Sequence, residues 1–242
     1  MSFPHYIYPA TQQAAEQCGN YILQILREKL ARERKATLAI SGGTTPRPMF
    51  EYMAKARFDW SGVHIFWVDE RAVPPDSPQS NYRLAAETLI RPANIPDENV
   101  HRIEAELPPE EAAAKYRDEL ARFFGLAAGA KPEFDVIHRG IGPDGHTASL
   151  FPGEPLIDDR ENLVAAVWVE KMKQWRITML PGVLLAARET AMLVCGADKG
   201  EPVKIIFEGS LDPMKYPAQA LAREGRSSVW FFDADAGKLI AA

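Results

Sequence analysis

Phe134-Asp-Val-Ile-His138 leads through Arg139 into Gly140-Ile-Gly-Pro-Asp-Gly-His-Thr-Ala-Ser-Leu-Phe-Pro152, and the fold turns on how this stretch is read. The opening run is β-branched and aromatic, the composition of a short buried strand. Gly140, Gly142 and Gly145 then crowd around Pro143. Glycine is favoured where the backbone needs positive φ or must approach a ligand closely. Asp144 and His146 stand two residues apart in the same loop. Imidazole titrates near neutrality and suits general-base work, and a carboxylate can hold its tautomer. A strand running straight into such a loop puts both groups at the carboxyl end of a sheet, where open α/β proteins bind ligands. The spacing is equally compatible with a tight turn before a helix starting near Thr147, with His146 merely satisfied.

The same order of strand, glycines and helix occurs upstream. Thr37-Leu-Ala-Ile40 reads as a buried strand, followed by Ser41-Gly42-Gly43-Thr44-Thr45-Pro46. Thr45 as N-cap and Pro46 at the first helical position start a helix with Phe50 and Met53 on its apolar side. Free amides and the helix dipole at that junction favour an anion. Pro46 and Pro48 carry no N–H, so the available donors are the amides of Gly42, Gly43, Thr44, Thr45 and Arg47. An ordinary strand-to-helix turn has the same pattern. A third strand, His64-Ile-Phe-Trp-Val68, ends at Asp69-Glu70-Arg71. The planar fork of Arg71 suits an oxyanion or phosphate, although the trio is also what a surface ion-pair cluster looks like. Residues 72–80 hold three prolines and read as a loop over the site, with Ser80 capping a helix that carries Asn81 and Tyr82.

Outside these segments, apolar residues at helical spacing predict helices from Thr11 to about Arg34, from Pro108 to Phe124 and from Pro181 to Ala187. Strands are predicted at 163–168, 176–180, 191–195 and 228–232. Lys171, Lys173 and Arg176 gather positive charge; a solvated loop is the default reading, but Arg176 begins a strand and is fixed in place. Asp198 is read as the cap of a helix with Lys199 in its first turn, a poor place for a cation unless an anion lies nearby. His5, near a terminus read as mobile, and His64, His101 and His138 are assigned no direct chemistry. Alternating strands and helices call for a parallel sheet covered on both faces. No linker or shift in composition divides the chain, so one domain over residues 1–242 is expected.

Composition narrows the function classes. The formal charge of -5 offers no basic excess to a nucleic-acid backbone or an anionic membrane, so neither partner is expected. An anionic substrate needs a local basic pocket instead. Cys18 and Cys195, the only cysteines, sit in apolar periodic segments and read as buried free thiols, which suits a reducing compartment. No apolar run approaches the ~20 residues of a membrane span, and the N-terminus lacks the pattern of a secretory signal, so the cytoplasm is the expected location. The upstream loop does not read Gly-x-Gly-x-x-Gly, and no His, Cys or carboxylate spacing suits a metal. Neither cofactor nor metal is expected.

Gly142-Pro-Asp-Gly-His-Thr-Ala-Ser-Leu-Phe-Pro152 resembles the signature of the 6-phosphogluconolactonases, within a wider group that includes glucosamine-6-phosphate deaminase. Ser41-Gly-Gly-Thr-Thr-Pro46, Trp67-Val-Asp-Glu-Arg71, Asn81-Tyr82, Arg176-Ile-Thr178 and Gly196-Ala-Asp-Lys199 are similar to further landmarks of that family, in its order, over roughly residues 38 to 200. The resemblance implies a Rossmann-like fold and hydrolysis of 6-phosphoglucono-δ-lactone, a sugar-phosphate lactone. His146 would be the general base supported by Asp144, and Arg71 the nominee for the oxyanion. Residues 41–45, with Arg47, Asn81, Gly142, Arg176 and Lys199, would hold the substrate and its phosphate. Two rivals are a deaminase or isomerase, and a non-catalytic sugar-phosphate binder. The deaminases carry a glutamate after the His that has no counterpart in Thr147-Ala-Ser-Leu-Phe-Pro152. His138-Arg139 departs from the aliphatic pair the family favours before the glycines.

Overall fold

A computed structural model describes residues 3–240. Its strands in chain order are β1 His5–Tyr8, β2 Ala36–Ile40, β3 Val63–Trp67, β4 Asp69–Arg71, β5 Val100–His101, β6 Val136–Arg139, β7 Val164–Val169, β8 Gln174–Met179, β9 Glu189–Val194 and β10 Ser228–Asp233. The helices are α1 Thr11–Leu30, α2 Arg47–Lys55, α3 Asn81–Ala85, α4 Pro109–Phe124, α5 Pro181–Ala186, α6 Gly200–Glu208, α7 Pro217–Glu224 and α8 Ala234–Gly237.

Seven strands form one sheet in the order β1-β10-β9-β6-β2-β3-β5, every neighbouring pair parallel. Both faces are covered, which is why β2 is buried along its whole length. On one face Cys18, Ile22 and Leu26 of α1 and Phe50 and Met53 of α2 pack on Leu38, Ile65 and Val136. On the other, Val203 and Ile206 of α6 and Ala218 and Ala222 of α7 close over Trp230 and Phe232. The chain winds outward from β2 through β3 to β5, then crosses back and winds the other way from β6 through β9 to β10. The reversal falls between β2 and β6. Their carboxyl ends splay the following loops apart and open a crevice. Both glycine loops leave from this point.

Four features lie outside what the sequence predicts or leave one of its alternatives aside. A second sheet exists: β4, β8 and β7 pair antiparallel in that order. It arises because Val68 donates its amide to Ile40 but accepts from Met179, so the chain passes from one sheet into the other. His5 lies not in a loose end but in β1, which adds an edge strand along β10. No helix begins near Thr147; Ala148 takes φ 52 and Thr147 bridges to Leu150, a tight reversal instead. The first helix stops at Leu30, short of the expected end near Arg34.

Candidate active site

The loop after β6 is a self-bonded turn. Gly142 N–H donates to the His146 carbonyl at 2.8 Å and Gly145 N–H to the Gly142 carbonyl at 3.0 Å. This fold returns the His146 ring onto Gly142, where a Cβ would stand 2.0 Å from Nδ1. Only glycine permits that approach. Asp144 Oδ1 lies 2.5 Å from His146 Nδ1, and Phe151 stacks on the imidazole at a centroid distance of 4.1 Å. An ionised carboxylate only accepts, so Nδ1 carries the proton and the lone pair sits on Nε2. Nε2 has no hydrogen-bond partner among the described residues. Burial pushes the Asp144 carboxyl up, but hydrogen bonds from His146 and Lys171 outweigh it and hold the group well below the usual carboxylate range.

Neighbouring segments brace this loop. Ser149 Oγ donates to Asp69 Oδ2 at 2.6 Å, Thr147 Oγ1 to the Gly140 carbonyl at 2.9 Å, and Ala218 N–H to the Gly145 carbonyl at 3.0 Å.

The small sheet supplies charge. Arg71 and Arg176 are direct cross-strand partners on β4 and β8. Like charges so placed repel, and Arg176 is only 8% exposed. Its nearest carboxylate, Asp69, is 4.0 Å away and already accepts from Ser149. Burial, only partly offset by Asp69 and reinforced by the Arg71 charge, holds the Arg176 pKa below its ordinary value. Arg71 Nη1 is tied to the Gln79 carbonyl at 2.7 Å and Asn81 Oδ1 at 2.5 Å. The Nε atoms of both arginines are buried without a partner, as is Ser41 Oγ. Glu70, next in sequence, acts on Arg176 only through space. It is consumed by the amides of Arg71, Asn81 and Tyr82 and by Ser80 Oγ, which makes it an anchor for the start of α3. Ser80 caps that helix as expected, accepting from Arg83 N–H.

The loop of residues 41–46 forms the opposite wall. Gly42 lies against Asn81, whose Oδ1 would be 1.8 Å from an added Cβ. The amides of Gly42, Gly43, Thr44 and Thr45 make no hydrogen bond among the described residues. Arg47 differs: its amide is spent on the Thr44 carbonyl at 3.3 Å, so it is not the free donor expected. Its side chain points to the outer mouth. Pro46, not Thr45, occupies the N-cap position of α2, and no side chain caps that helix. Asp198 likewise caps nothing. Residues Ala197–Lys199 form a single 3₁₀ turn, Lys199 stands at the N-cap of α6, and Asp198 pairs with the Lys199 ammonium.

Ser41, Thr44, Arg71, His146, Arg176 and Lys199 line a single cleft of about 210 Å³. A wider basin of about 690 Å³ shares Thr44, Arg71 and Arg176 with it and adds Arg47, Arg83 and Lys173. The basin does not reach His146, so chemistry at the imidazole belongs to the smaller cleft. Lys171 is the residue that spacing missed. From the turn between β7 and β8 its Nζ reaches Asp144 Oδ2 at 2.9 Å. Only its place in a basic cluster marked it in the sequence. Phe151 and Ser149 lie inside the motif itself, but nothing local assigns them a partner.

A carboxylate-held imidazole sharing a cleft with two guanidinium groups, at the reversal point of a parallel sheet, is the arrangement of an α/β protein with a small polar cleft. The chain belongs to the family described as glucosamine-6-phosphate isomerases/6-phosphogluconolactonase, whose model matches residues 9–230. It is 38% identical over 214 residues to the 6-phosphogluconolactonase of a Synechocystis species, covering 88% of each chain. The crystal structure of the Thermotoga maritima 6-phosphogluconolactonase superposes with a TM-score of 0.82 at 30% identity, over 96% of this chain and 100% of that one. A monomeric glucosamine-6-phosphate deaminase shares the fold, with a TM-score of 0.84 at 16% identity over 98% and 100%.

Proposed function

We propose that this protein hydrolyses 6-phosphoglucono-δ-lactone to 6-phosphogluconate, the lactone-opening step of the oxidative pentose phosphate pathway, with His146 as general base. One observation carries the reading: the Nε2 of His146, without a partner among the described residues, shares a cleft with the Arg71–Arg176 pair. A water placed on Nε2 gives up its proton as its oxygen attacks the lactone carbonyl. Asp144 stabilises the imidazolium that forms. The carbonyl oxygen becomes an oxyanion, for which Arg71 in the cleft lining is the nearest cation. Collapse of the tetrahedral species breaks the bond to the ring oxygen, which takes the proton from His146 as the ring opens. The phosphate is held away from this centre by the amides of 42–45 with Lys199 and Arg176, and Asn81 positions both Arg71 and the glycine wall.

The test is proton release from the lactone, run beside ammonia release from glucosamine 6-phosphate. Lactone turnover above the spontaneous rate without deamination is expected. Deamination in its place would move the chain to the other branch of its family, and binding without turnover of either would leave a sugar-phosphate binder. No helix among the described residues is long and apolar enough to cross a membrane.

A further inference from the structure

The turn between β7 and β8 carries a charge that the mechanism above does not use. Its residues Glu170–Met172 form one 3₁₀ turn, closed by Lys173 in the left-handed region at φ 50. Glu170, the carboxylate nearest in sequence, is engaged by Lys173 and by Trp168 Nε1. Lys171 is thereby left to pair with Asp144 Oδ2. The turn is anchored on the other wall, where Gln174 Nε2 donates to Gln79 Oε1 at 2.8 Å. Asp144 therefore serves two groups at once, Lys171 on one oxygen and His146 on the other.

We propose that Lys171 is a positioning residue that, through the outer oxygen of Asp144, sets the proton affinity of His146. The inference rests on the reading of His146 as the base. A carboxylate shared with an ammonium stabilises an imidazolium less than one left to the imidazole alone. Lys171 thus keeps Nε2 unprotonated further into acid, while its grip on Asp144 holds the carboxylate in register with Nδ1.

The other charged or titratable groups around His146 do not supply this effect. Asp69 is committed to Ser149 and Arg176. Arg71, Arg176 and Lys199 act in the same direction as Lys171, but none touches Asp144. His138 is neutral in the cleft floor, pushed down to about 3 by burial and Arg139, and burial pushes Cys195 up to about 12. Phe151, packed on the ring, brings no charge.

The experiment follows the His146 ring C–H resonance through a pH titration, assigned among five histidines with H146Q. In K171M the midpoint is expected to rise by about half a pH unit, the effect of one partly screened charge. K171R should restore it. Raising salt to about 1 M should carry the wild type toward K171M while moving the mutant less, because an exposed pair is screened. The Lys171 side chain is 62% exposed, so its loss leaves no buried gap, and an unchanged thermal midpoint verifies this. An unmoved His146 midpoint in K171M overturns the proposal. The acid limb of kcat/KM, measured in parallel, should move with the resonance. A resonance that moves while the acid limb stays still supports the Lys171 link and removes His146 as the base instead.

Discussion

Among the described residues, two histidine–carboxylate pairs have nearly the same geometry. His146 Nδ1 meets Asp144 at 2.5 Å, and His101 Nδ1 meets Glu119 at 2.7 Å. In the first, Nε2 is left without a partner and faces a cleft. In the second, His101 Nε2 lies 3.0 Å from His64 Nδ1, and the ring stacks on Phe66 at 4.3 Å with its edge toward Phe123. Glu119 must accept, so neutral His101 carries its proton on Nδ1 and accepts from His64. Arg122 takes the other Glu119 oxygen. Both imidazoles are pushed down to about 4, by burial first, with His101 and Lys35 acting on His64 and Arg122 and Lys35 on His101. A hydrogen-bonded His–carboxylate pair is therefore not a site in itself. The second nitrogen decides: open to a charged cleft it can do chemistry, and bonded inside an aromatic cluster it can only hold the edge of a sheet.

The sharpest way to break this contrast is to remove each ring. H146Q should lower kcat by about 10²–10⁴-fold, the range for a lost general base, with the fold intact by circular dichroism. H101Q should leave kcat unchanged and cost about 1–3 kcal/mol of unfolding free energy, the cost of unsatisfied buried partners. Near-normal turnover in folded H146Q, or a lost kcat in H101Q, would reverse the assignment.

A milder effect is expected where binding separates from chemistry. Lys199 lines the cleft, and a contact from it to the substrate phosphate should persist from substrate to transition state. K199A should raise KM about tenfold, as for one charged hydrogen bond, with little change in kcat. It should also erase the preference for 6-phosphogluconate over gluconate as inhibitor. If that preference survives, Arg176 or the amides of 42–45 hold the phosphate.

Smaller still is the acid sensitivity of the edge pair. Unfolded histidine titrates near 6.5, and both native values lie near 4, so the unfolded chain binds more protons between those limits. Stability is at its full value above about pH 6.5 and falls as the pH drops toward 4. Urea titrations at several pH values should show a gentler fall in the H64Q/H101Q double mutant; an identical slope would leave the loss to other groups. Least of all should dialysis against a strong chelator matter. No change in lactone turnover is expected, and loss restored by a divalent ion would contradict the metal-free mechanism.

Much of the fold was legible along the chain. Phe134–His138 and Thr37–Ile40 read as buried strands because apolar β-branched runs have few other stable fates, and the glycines after them marked the loops at the reversal point. The junction of Asp144 and His146 is equally local, since two residues on a glycine turn cannot avoid one another. The second sheet was not legible. Whether Asp69–Arg71 continues β3 or leaves it depends on Val68 finding Met179, far along the chain. The caps expected at Thr45 and Asp198 do not form for a related reason: capping residues are present, but neighbouring geometry uses the backbone otherwise.

The sequence by itself therefore determined the parallel α/β scaffold, the two glycine loops, the imidazole with its adjacent carboxylate and the family. The first three follow from short-range sterics, periodicity and spacing, and the family from the resemblance of its motifs. Only the tertiary structure decided that Arg71 stands opposite Arg176, that Glu70 is consumed in anchoring α3, that Lys171 shares Asp144, and that His101 and not His146 is sealed by a second imidazole. The physical reason is that a charge acquires its role from what lies within a few ångströms of it in a medium of low dielectric. Those neighbours are set by which strands the burial of the whole core brings together.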